Sequence, residues 1–500
     1  MLLLTVVCAG TYSIRAGQDA NWDFLNYHLY NPYAFVHGRL QWDIAPAGIQ
    51  TYLNPLIDLP YYFLFFGLAD FPRVVAFFLS LYAGIAAFLM WLLARQALGN
   101  SVSSIWDGAV VAFIGATGAA GLAQVGTTTN EWPAVALVVA GLLVTARYLS
   151  SEDAPPRQAA LGGLLLGLAA GLKLTAAIYV IGASAALLIV AIPTRQLWRG
   201  VVPFGVCVGV GTLILGGLWF AILFAKFGNP VFPFYNNIFK SEWIAPLAFA
   251  DQRFIPTSWS ELLAYPFTWA IKQTTRISEM PIADPRLLIG LFCAPIILVV
   301  HGLNPDRQSR CWRFLALIFL ISYAIWVLRF SIHRYVILLE YLSALLLFGV
   351  LQRVVRNVIV RSIAGVGLAT AIFLVTFAPD WGHIRFGVRT WSYEGPELPA
   401  NSLVALGKGY PIAGVVPFLR ADARFVRDVS HDEQRLRTFR QQIGRDHTGP
   451  AFLLQDSNVS LTEEERVVTD LGLVRTDAPC EQIKLNFFPS PLRLCKLVRK

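Results

Sequence analysis

Apolar stretches dominate the first three quarters of the chain and constrain its fold more than any other feature. Eleven of them, 13 to 25 residues long, lie between residues 2 and 377. An α-helix needs about 20 apolar residues to cross the hydrocarbon core of a bilayer, and fewer at the short end of the range. The sequence therefore predicts a polytopic α-helical membrane protein. The predicted spans are Leu2–Ile14, Val74–Ala94, Ala109–Ala123, Pro133–Ala146, Ala159–Leu172, Leu174–Ile192, Val201–Ala225, Leu287–Val300, Phe314–Leu328, Tyr335–Leu351 and Ile363–Phe377.

The overall composition excludes an ordinary soluble domain. Hydrophobic residues make up 56% of the 500, only 14% are charged, and the mean hydropathy is +0.56. The formal net charge is +9. Most Lys and Arg residues before the C-terminal tail lie in short connections between apolar stretches, where they orient a membrane protein rather than bind a polyanion. No nucleic-acid partner is expected.

The first stretch, Leu2–Ile14, is short for a membrane span, and no basic residue precedes it. One interpretation is an anchoring helix with a start codon assigned too far downstream. The alternative is a cleaved signal peptide, but the basic n-region is missing and no A-x-A site follows. The anchor is the preferred interpretation.

Basic residues fall in every second connection between the predicted spans. The positive-inside rule makes those connections cytoplasmic, together with the N-terminus. The first outer loop (15–73), the second outer loop (226–286) and everything after Phe377 are then outside. The basic residues are Arg95, Arg147, Arg157, Arg195, Arg199, Arg307, Arg310, Arg313, Arg353, Arg356 and Arg361.

The composition changes near Asp380, where apolar runs shorten and charged residues alternate with turns. We expect a small extracytoplasmic α/β domain over 379–500, after a transmembrane module over 1–378. SLVALGKGY, GPAFLLQDS and IKLNFF favour strands, and TEEERVVTDLGL favours a helix. Cys480 and Cys495 either form a disulfide in this domain or remain two unpaired thiols. The other cysteines lie in or beside apolar stretches and are interpreted as small core residues.

Two acids stand where the chain leaves the first apolar stretch, Asp19 and Asp23 in the sequence AGQDANWDFLNYHLYNPYAFVHGRL. A helix over 18–37 on the membrane surface would hold them at the boundary between lipid head groups and water. There a carboxylate can act as a general base or hold a divalent metal. The alternative is helix capping, preferred for Asp19, whereas Asp23 is the predicted catalytic base. One side of this helix would carry the polar residues Asp19, Asp23, Asn26, Tyr27 and Tyr30. Its apolar surface, for contact with the membrane interface, would come from Phe24, Leu25, Leu29 and Phe35. Pro32 is expected to kink or split the helix. Asn26, Tyr27 and His28 are predicted substrate-binding residues.

Two groups of cationic residues lie at ends of apolar stretches that are predicted to be on the outer side of the membrane, as Asp23 is. Lys173 interrupts the apolar run GLLLGLAAGLKLTAAIYVIG, which makes it a candidate for phosphate binding, with snorkelling to the interface as the alternative. Arg329, His333 and Arg334 in RFSIHRYVILLEY are a second group, since arginine suits bidentate contact with phosphate oxygens. Glu340, about two turns deeper, is expected to pair with Lys173 or an arginine. Asn130 and Glu131 in GTTTNEW are further candidates for binding sugar hydroxyls.

Other chemical motifs are missing from the sequence. It contains no His-rich metal site, haem-attachment motif, phosphate-binding loop or nucleophile elbow. GKG at 407–409 lacks the spacing and the Ser or Thr of a phosphate-binding loop and is assigned to a turn. Neither a metal nor another cofactor is predicted.

Taken in order, several motifs resemble those of the GT-C glycosyltransferases, the multispanning class that uses polyprenyl-phosphate sugars, and particularly the family-87-like bacterial membrane mannosyltransferases. They are Asp23 and Tyr27 followed by His37-Gly38-Arg39, then Asn54-Pro55-Leu56, GLAAGLKLT around Lys173, GNPVFPFYN at 228–236, and Arg334-Tyr335. The resemblance covers roughly residues 10–378. It implies that Asp23 is the base and that Lys173 and Arg334 contact the donor phosphate. The chain lacks the adjacent acidic pair (D-D or D-x-D) of that class, so no metal is expected.

The resemblance implies a multi-pass enzyme of the bacterial inner membrane. It would move a monosaccharide, with inversion, from a polyprenyl-phosphate donor to a glycan, lipid or protein acceptor on the extracytoplasmic side. One alternative is a polysaccharide polymerase or ligase of the O-antigen type. Such a protein is expected to have a large outer loop rich in Arg and His, whereas residues 226–286 contain Arg253 and Arg276 but no His. The other is a transporter or flippase of lipid-linked substrates, which would show two matching halves, and no convincing internal repeat is present.

Overall fold

The protein is mainly helical. The computed structural model describes residues 1–99, 101–151, 153–192, 198–302, 306–429, 434–460 and 465–500. Its α-helices are α1 (Leu2–Ala16), α2 (Tyr30–Val36), α3 (Leu59–Gly67), α4 (Pro72–Leu79), α5 (Leu81–Leu98), α6 (Val102–Ala116), α7 (Ala119–Ala123), α8 (Glu131–Leu149), α9 (Pro156–Leu172), α10 (Ala177–Ala191), α11 (Trp198–Phe227), α12 (Asn236–Phe239), α13 (Trp259–Thr268), α14 (Arg286–His301), α15 (Arg307–Arg329), α16 (Ile337–Val354), α17 (Val358–Val375), α18 (Gln434–Asp446) and α19 (Arg466–Asp470).

The predicted class, a polytopic helical membrane protein, is confirmed. Within the described ranges, seven helices are long and apolar enough to cross a membrane, and three shorter apolar helices accompany them. Each predicted apolar stretch contains a helix, although Ala109–Ala123 is divided between α6 and α7. The number of crossings stays a prediction. The seven are Pro72–Leu98, Glu131–Leu149, Leu174–Ala191, Trp198–Phe227, Arg307–Arg329, His333–Val354 and Val358–Val375, and the shorter three are Leu2–Ala16, Val102–Ala116 and Arg286–His301.

Helices α9 and α11 pack at unusually close range. Gly163, Gly167 and Gly171 recur every fourth residue along α9 and face the backbone of α11. A Cβ atom added at Gly167 would collide with the carbonyl oxygen of Val208. Small residues at this spacing allow two helix backbones to approach closely where lipid provides no hydrophobic driving force.

The connections predicted to share one side of the membrane meet at one end of the helix bundle. The Asp19 carboxylate accepts a hydrogen bond from the Thr128 backbone N–H (2.8 Å), and the Lys173 ammonium donates to the Thr129 carbonyl (2.5 Å). At the other end, the Gln352 side chain reaches the Leu98 carbonyl (3.1 Å). Which end of the bundle faces the cytoplasm stays a prediction. Arg195, one of the basic residues on which that prediction rests, is not among the residues that the structure describes.

The C-terminal region is an α/β unit built on a seven-stranded mixed sheet. Strands β1 (Gln18–Asp19) and β2 (His383–Ile384) pair with each other outside this sheet. The strands of the sheet are β3 (Tyr393–Glu394), β4 (Leu403–Leu406), β5 (Arg424–Val426), β6 (Ala451–Asp456), β7 (Leu473–Arg475), β8 (Glu481–Leu485) and β9 (Leu492–Arg499). Their order is β3-β8-β9-β6-β4-β5, with β7 also paired to β9. Strand β4 runs parallel to β5 and β6, and β9 is antiparallel to β6.

The predicted α/β character of this region is confirmed, as are strands at SLVALGKGY, GPAFLLQDS and IKLNFF. The helix expected over TEEERVVTDLGL covers only Arg466–Asp470, and residues 462–464 lie outside the described residues. Cys480 and Cys495 form the disulfide. Cys8 is exposed rather than in the core, because α1 contacts α4 and α5 on its other side.

The first outer loop and the C-terminal unit share a hydrophobic core. Phe24, Leu25 and Leu29 are fully buried in one cluster with residues of α3 and of the sheet, including Val404 and Phe487. The prediction that these three side chains face the membrane interface is therefore wrong. An apolar stripe looks the same in sequence whether lipid or protein covers it, and here protein does.

Candidate active site

The segment from Gly17 to Val36 is three pieces rather than the single helix predicted over 18–37. Strand β1 pairs with β2, a π-helical turn covers Phe24–His28, and α2 follows. Asn21, not Asp19, caps the turn, because its side-chain oxygen accepts from the Phe24 N–H (2.9 Å). Asp19 is instead held by the Thr128 backbone (2.8 Å). The capping prediction for Asp19 is wrong, since a distant loop competes for its carboxylate.

The π-helical turn changes which side chains accompany Asp23. Backbone hydrogen bonds in such a turn join residues i and i+5 instead of i and i+4. The residue that follows Asp23 by five is His28. Tyr27, the expected i+4 neighbour, lies with its ring centroid 4.1 Å from that of His28.

Asp23 forms an ion pair with Arg334. Arg334 Nη1 donates to Asp23 Oδ2 at 2.7 Å, and Arg334 Nη2 donates to the Tyr335 hydroxyl at 3.3 Å. Asp23 is only 9% exposed. Burial alone would raise the pKa of its carboxyl, but the nearby charges, with Arg334 foremost, hold that pKa below its ordinary value. Asp23 is therefore an ionised carboxylate at neutral pH.

Lys173 and Glu131 form a second ion pair close by. Lys173 Nζ lies 2.6 Å from Glu131 Oε1. Glu131 begins α8 directly after Asn130, which adopts a left-handed conformation (φ 61°), and Lys173 follows the last residue of α9. The ammonium is thus paired inside the protein, which argues against simple snorkelling. Its positive charge also lowers the pKa of Asp23, after Arg334 and His28.

A small pocket adjoins both ion pairs. Its polar part is formed by Glu131, Thr175 and Arg334, and its apolar wall by residues of α8 and α10. Arg334 Nε is buried beside it without a hydrogen-bond partner. An unused guanidinium donor at the polar end of this pocket is suited to an anion, although the pocket itself, at about 10 Å³, has room for only about one water molecule. The full lining is Glu131, Ala134, Val135, Thr175, Ala176, Tyr179, Arg334 and Tyr335.

A buried His–Asp pair stands next to Asp23. His28 Nδ1 lies 2.6 Å from Asp58 Oδ1, and the Asn130 side-chain amide also donates to Asp58. Burial raises the pKa of Asp58, although His28 and Asn130 oppose that shift. The sequence reasoning missed Asp58. Its only local signal is its place after Asn54-Pro55-Leu56, because nothing in the sequence shows that residues 28 and 58 meet.

Arg329, His333 and Asn26 take no part in the two ion pairs. Arg329 ends α15 with an exposed side chain. His333 is buried and directed toward Glu340, with 3.6 Å between His333 Nε2 and Glu340 Oε1. The Asn26 amide donates to the Ala47 carbonyl at 3.4 Å, and its side-chain oxygen is buried without a partner.

Among the residues that the structure describes, Glu340 pairs with neither Lys173 nor an arginine, so that prediction is wrong. Its two oxygens accept from the backbone N–H groups of Ala120 (2.8 Å) and Gly121 (3.0 Å), at the start of α7. Those donors satisfy the carboxylate where the sequence suggested a cation. Asp284, His333 and Glu340 are the one group of metal-ligand type that the described part of the chain brings together. Arg286 already neutralises Asp284 at 2.8 Å, which opposes a further cation there.

The fold and the site define a multispanning membrane protein with a buried acid–cation centre at one end of its helix bundle, under an α/β unit. No family model matches the chain, and no curated protein matches its sequence. Among solved structures, the chain is similar to the crystal structure of ArnT from Cupriavidus metallidurans bound to undecaprenyl phosphate. The identity is 12%, the TM-score is 0.43, and the match covers 99% of this chain and 97% of that chain.

Proposed function

We propose that this protein is an inverting membrane glycosyltransferase that moves a monosaccharide from a polyprenyl-phosphate donor to an acceptor hydroxyl. The observation that carries the proposal is the contact between Asp23 and Arg334 (2.7 Å), beside a pocket with an apolar wall. One side chain is an ionised carboxylate that can accept a proton. The other is a cation with a free donor that can bind a phosphate. Sugar transfer from a lipid phosphate needs both.

The reaction assigns a role to each charged group. The acceptor oxygen attacks the anomeric carbon from the face opposite the phosphate, so the new C–O bond forms as the bond from carbon to phosphate oxygen breaks. The electron pair of the broken bond stays on the polyprenyl phosphate, which Arg334 and Lys173 stabilise electrostatically. The hydroxyl proton passes to Asp23, acting as general base. Asn26, Tyr27, His28, Asn130 and Glu131 are proposed to contact the substrates.

The apolar wall supports a lipid-linked substrate. Ala134 and Val135 line the pocket from α8, Tyr179 lines it from α10, and Ala176 lines it from the turn before α10. All four lie in the candidate spans Glu131–Leu149 and Leu174–Ala191. In the proposed complex the prenyl chain lies along this wall while its phosphate contacts Arg334. Because the pocket measures only about 10 Å³, the side chains that line it have to move apart when the donor enters. By the distribution of basic residues, this end of the bundle is proposed to face the extracytoplasmic side of a bacterial inner membrane.

The test uses purified protein, a panel of polyprenyl-phosphate sugars and a panel of glycan, lipid and peptide acceptors. Mass spectrometry should find one hexose or related sugar added to an acceptor. Asp23→Asn should lower kcat at least about 10²-fold, the low end of the range for a general base, while the donor still binds. Asp70→Asn is the matched control, because Asp70 lies in the same outer loop with its side chain 67% exposed.

Three outcomes would contradict the proposal. Full activity in Asp23→Asn would show that Asp23 is not the general base. Movement of a lipid-linked sugar across sealed vesicles without any new covalent product would identify a transporter or flippase instead. Transfer of a whole glycan from a lipid diphosphate would identify a polymerase or ligase.

A further inference from the structure

Helix α13, in the second outer loop, presents an exposed apolar stripe. Trp259, Leu263, Phe267 and Ile271 follow one another at intervals of four residues, along α13 and the turn after it. They are 81%, 75%, 57% and 72% exposed. Residues four apart lie on the same face of a helix. A continuous exposed apolar surface of this kind marks a place where a membrane or a partner binds.

The opposite face of α13 is anchored in the protein. Tyr265 is fully buried, and its hydroxyl donates to the Phe254 carbonyl at 2.7 Å. Glu261, in the first turn of α13, accepts a hydrogen bond from Arg276 Nε at 2.9 Å. These contacts fix the orientation of the helix, so the stripe points away from the protein.

The stripe continues onto a helix of the bundle. The rings of Phe267 and of Phe292 on α14 meet edge to face, with 6.4 Å between their centroids. Helix α14 is one of the shorter apolar helices, and Phe292, Ile296 and Val299 are exposed along it. In a chain with membrane spans, acyl chains are the natural cover for such a surface. The same lipid would extend over the stripe of α13.

The length of α13 determines how it can meet the membrane. Its ten residues span about 15 Å, about half the thickness of the hydrocarbon core, so it cannot cross. A short helix with one apolar face lies in the plane of the interface instead, with that face about 5–10 Å into the boundary between head groups and acyl chains. Trp259, in the first turn, is of the residue type that is enriched at head-group level.

The anchored side of the same segment supports the turn that carries Arg334. The Tyr265 hydroxyl also lies 3.4 Å from the carbonyl oxygen of Ser331, two residues before that turn. The His333 backbone N–H donates to the Ile277 carbonyl at 2.9 Å. The ring of Trp269, which follows α13 directly, lies with its centroid 6.2 Å from that of His333. A displacement of α13 would therefore be transmitted to Arg334.

We propose that α13 lies in the lipid leaflet at this end of the bundle, with its apolar stripe among head groups and acyl chains, and that this lipid contact holds the turn of Arg334 in place. Lipid is the occupant rather than a second copy of the chain, because the stripe is continuous with the exposed apolar surface of α14. Neither the lipid contact nor its effect on the turn requires sugar transfer.

The lipid contact can be tested on the wild-type protein. One copy is placed in each lipid nanodisc, so that no second copy is present, together with a phosphatidylcholine that carries a photoreactive diazirine high in one acyl chain. After illumination, denaturation and trypsin digestion, mass spectrometry should find the lipid on peptide 254–272, which contains the stripe. Peptide 200–226 from α11 is the positive control, and peptide 485–493 from the C-terminal unit should remain unlabelled.

The effect on the turn is tested with the double variant Leu263→Ser and Phe267→Ser. Both side chains are exposed, so the substitutions leave the anchored face intact. Labelling of peptide 254–272 should fall. Exchange of the His333 amide hydrogen in nanodiscs should become at least about 10-fold faster, since burial of one large apolar side chain contributes a factor of that order. Val498→Ser, at an exposed position of β9, is the control and should change neither measurement.

Each result decides one part of the proposal. Absence of lipid from peptide 254–272 of the wild type, while peptide 200–226 is labelled, would overturn the lipid contact. A stripe that becomes protected from labelling only when two copies share a disc would identify a second copy as the occupant. Unchanged exchange at His333 in the double variant, despite lost labelling, would overturn the effect on the turn. Labelling of the wild type together with faster exchange in the variant would establish both parts.

Discussion

Arg334 Nη1 donates a hydrogen bond to Asp23 Oδ2 at 2.7 Å and so joins two residues that are 311 positions apart. Asp23 belongs to the connection after the first helix, and Arg334 to the short turn that leads into α16. The contact brings the predicted base and a predicted phosphate ligand into one centre. It is also the contact most sensitive to change, because both groups are charged and Asp23 is buried.

Replacement of Arg334 by Gln should destabilise the protein at neutral pH. The buried Asp23 carboxylate would lose its cation, and removal of one partner of a buried charge pair costs about 2–5 kcal/mol. In the wild type, Arg334 holds the Asp23 pKa below its ordinary value, so the stability from this pair is present above about pH 4 and is lost as the pH falls further. In Arg334→Gln, burial is no longer opposed by Arg334 and raises that pKa.

The variant should therefore regain part of its stability as the pH is lowered from 7.5 to 4.5, whereas the wild type should not. Thermal unfolding in detergent at both pH values measures this. Asp23→Asn combined with Arg334→Gln should be more stable at neutral pH than Arg334→Gln alone. An equal loss of stability at both pH values would show that the ion pair does not act as described.

Lys173→Met should affect donor binding more strongly than it affects the stability of the folded protein. The change removes a cation near the pocket and leaves Glu131 without its partner at 2.6 Å. We expect the KM for the donor to rise at least about 10-fold, the effect of one charge-assisted contact of roughly 1.5–3 kcal/mol. Glu131→Gln frees the ammonium and keeps a side chain that can hydrogen-bond a sugar hydroxyl, so donor affinity should stay equal or become tighter.

Lys173→Met combined with Glu131→Gln tests whether the first effect comes from the lost cation or from the stranded acid. If the cation binds the donor, this double variant keeps the high KM even when its thermal stability returns. Lys272→Met, at an exposed position in the second outer loop, is the control. A normal KM in the double variant would assign Lys173 a structural role only.

Sequence patterns predicted the membrane helices because hydropathy depends on composition along short segments, which is local information. The sequence also singled out Asp23, Lys173 and Arg334, because they lie at the ends of apolar stretches that are predicted to be outside, away from the basic residues of the cytoplasmic connections. Their roles stay predictions. The Asp58 partner of His28 was not, because it depends on a contact between distant residues. The π-helical turn was equally hidden, since an apolar pattern does not distinguish i+4 from i+5 neighbours over a single turn.

Gly167→Ala should destabilise the close pair of α9 and α11. The added methyl group would collide with the Val208 carbonyl oxygen, and both backbones are held by several turns of contact. Overpacking of this kind costs about 1–3 kcal/mol. The matched control is Gly209→Ala on α11, where nothing lies within 4 Å of the new atom. The midpoint temperature of thermal unfolding should fall for Gly167→Ala and should stay the same or rise for Gly209→Ala. Equal values would mean that the helices are not closely packed at this point.

Arg39→Met should loosen the C-terminal unit from the first outer loop. Arg39 is 4% exposed, pairs with Asp43 at 2.7 Å, and donates to the carbonyl groups of Ala421 and Ala423 at 2.6 Å each. The variant strands a buried carboxylate and two carbonyl groups, a loss of about 3–5 kcal/mol. Limited proteolysis should then cut the C-terminal unit faster. Arg420→Ala, which removes an exposed pair with Asp422, should change nothing measurable. Unchanged proteolysis of Arg39→Met would mean that apolar contacts alone hold the unit.

The disulfide between Cys480 and Cys495 provides a test of orientation. Disulfides persist in the periplasm and other oxidising compartments but are reduced in the cytosol, so the bond should form in cells only if the C-terminal unit is extracytoplasmic. The experiment uses a variant in which the four free cysteines, Cys8, Cys207, Cys293 and Cys311, are replaced by alanine. Cells are treated with a permeant maleimide, the protein is denatured and reduced, and newly exposed thiols receive a heavier maleimide. Two heavy labels are expected. No heavy label, with both thiols blocked in the first step, would contradict the predicted orientation, and the proposed acid–cation centre would then face the cytoplasm.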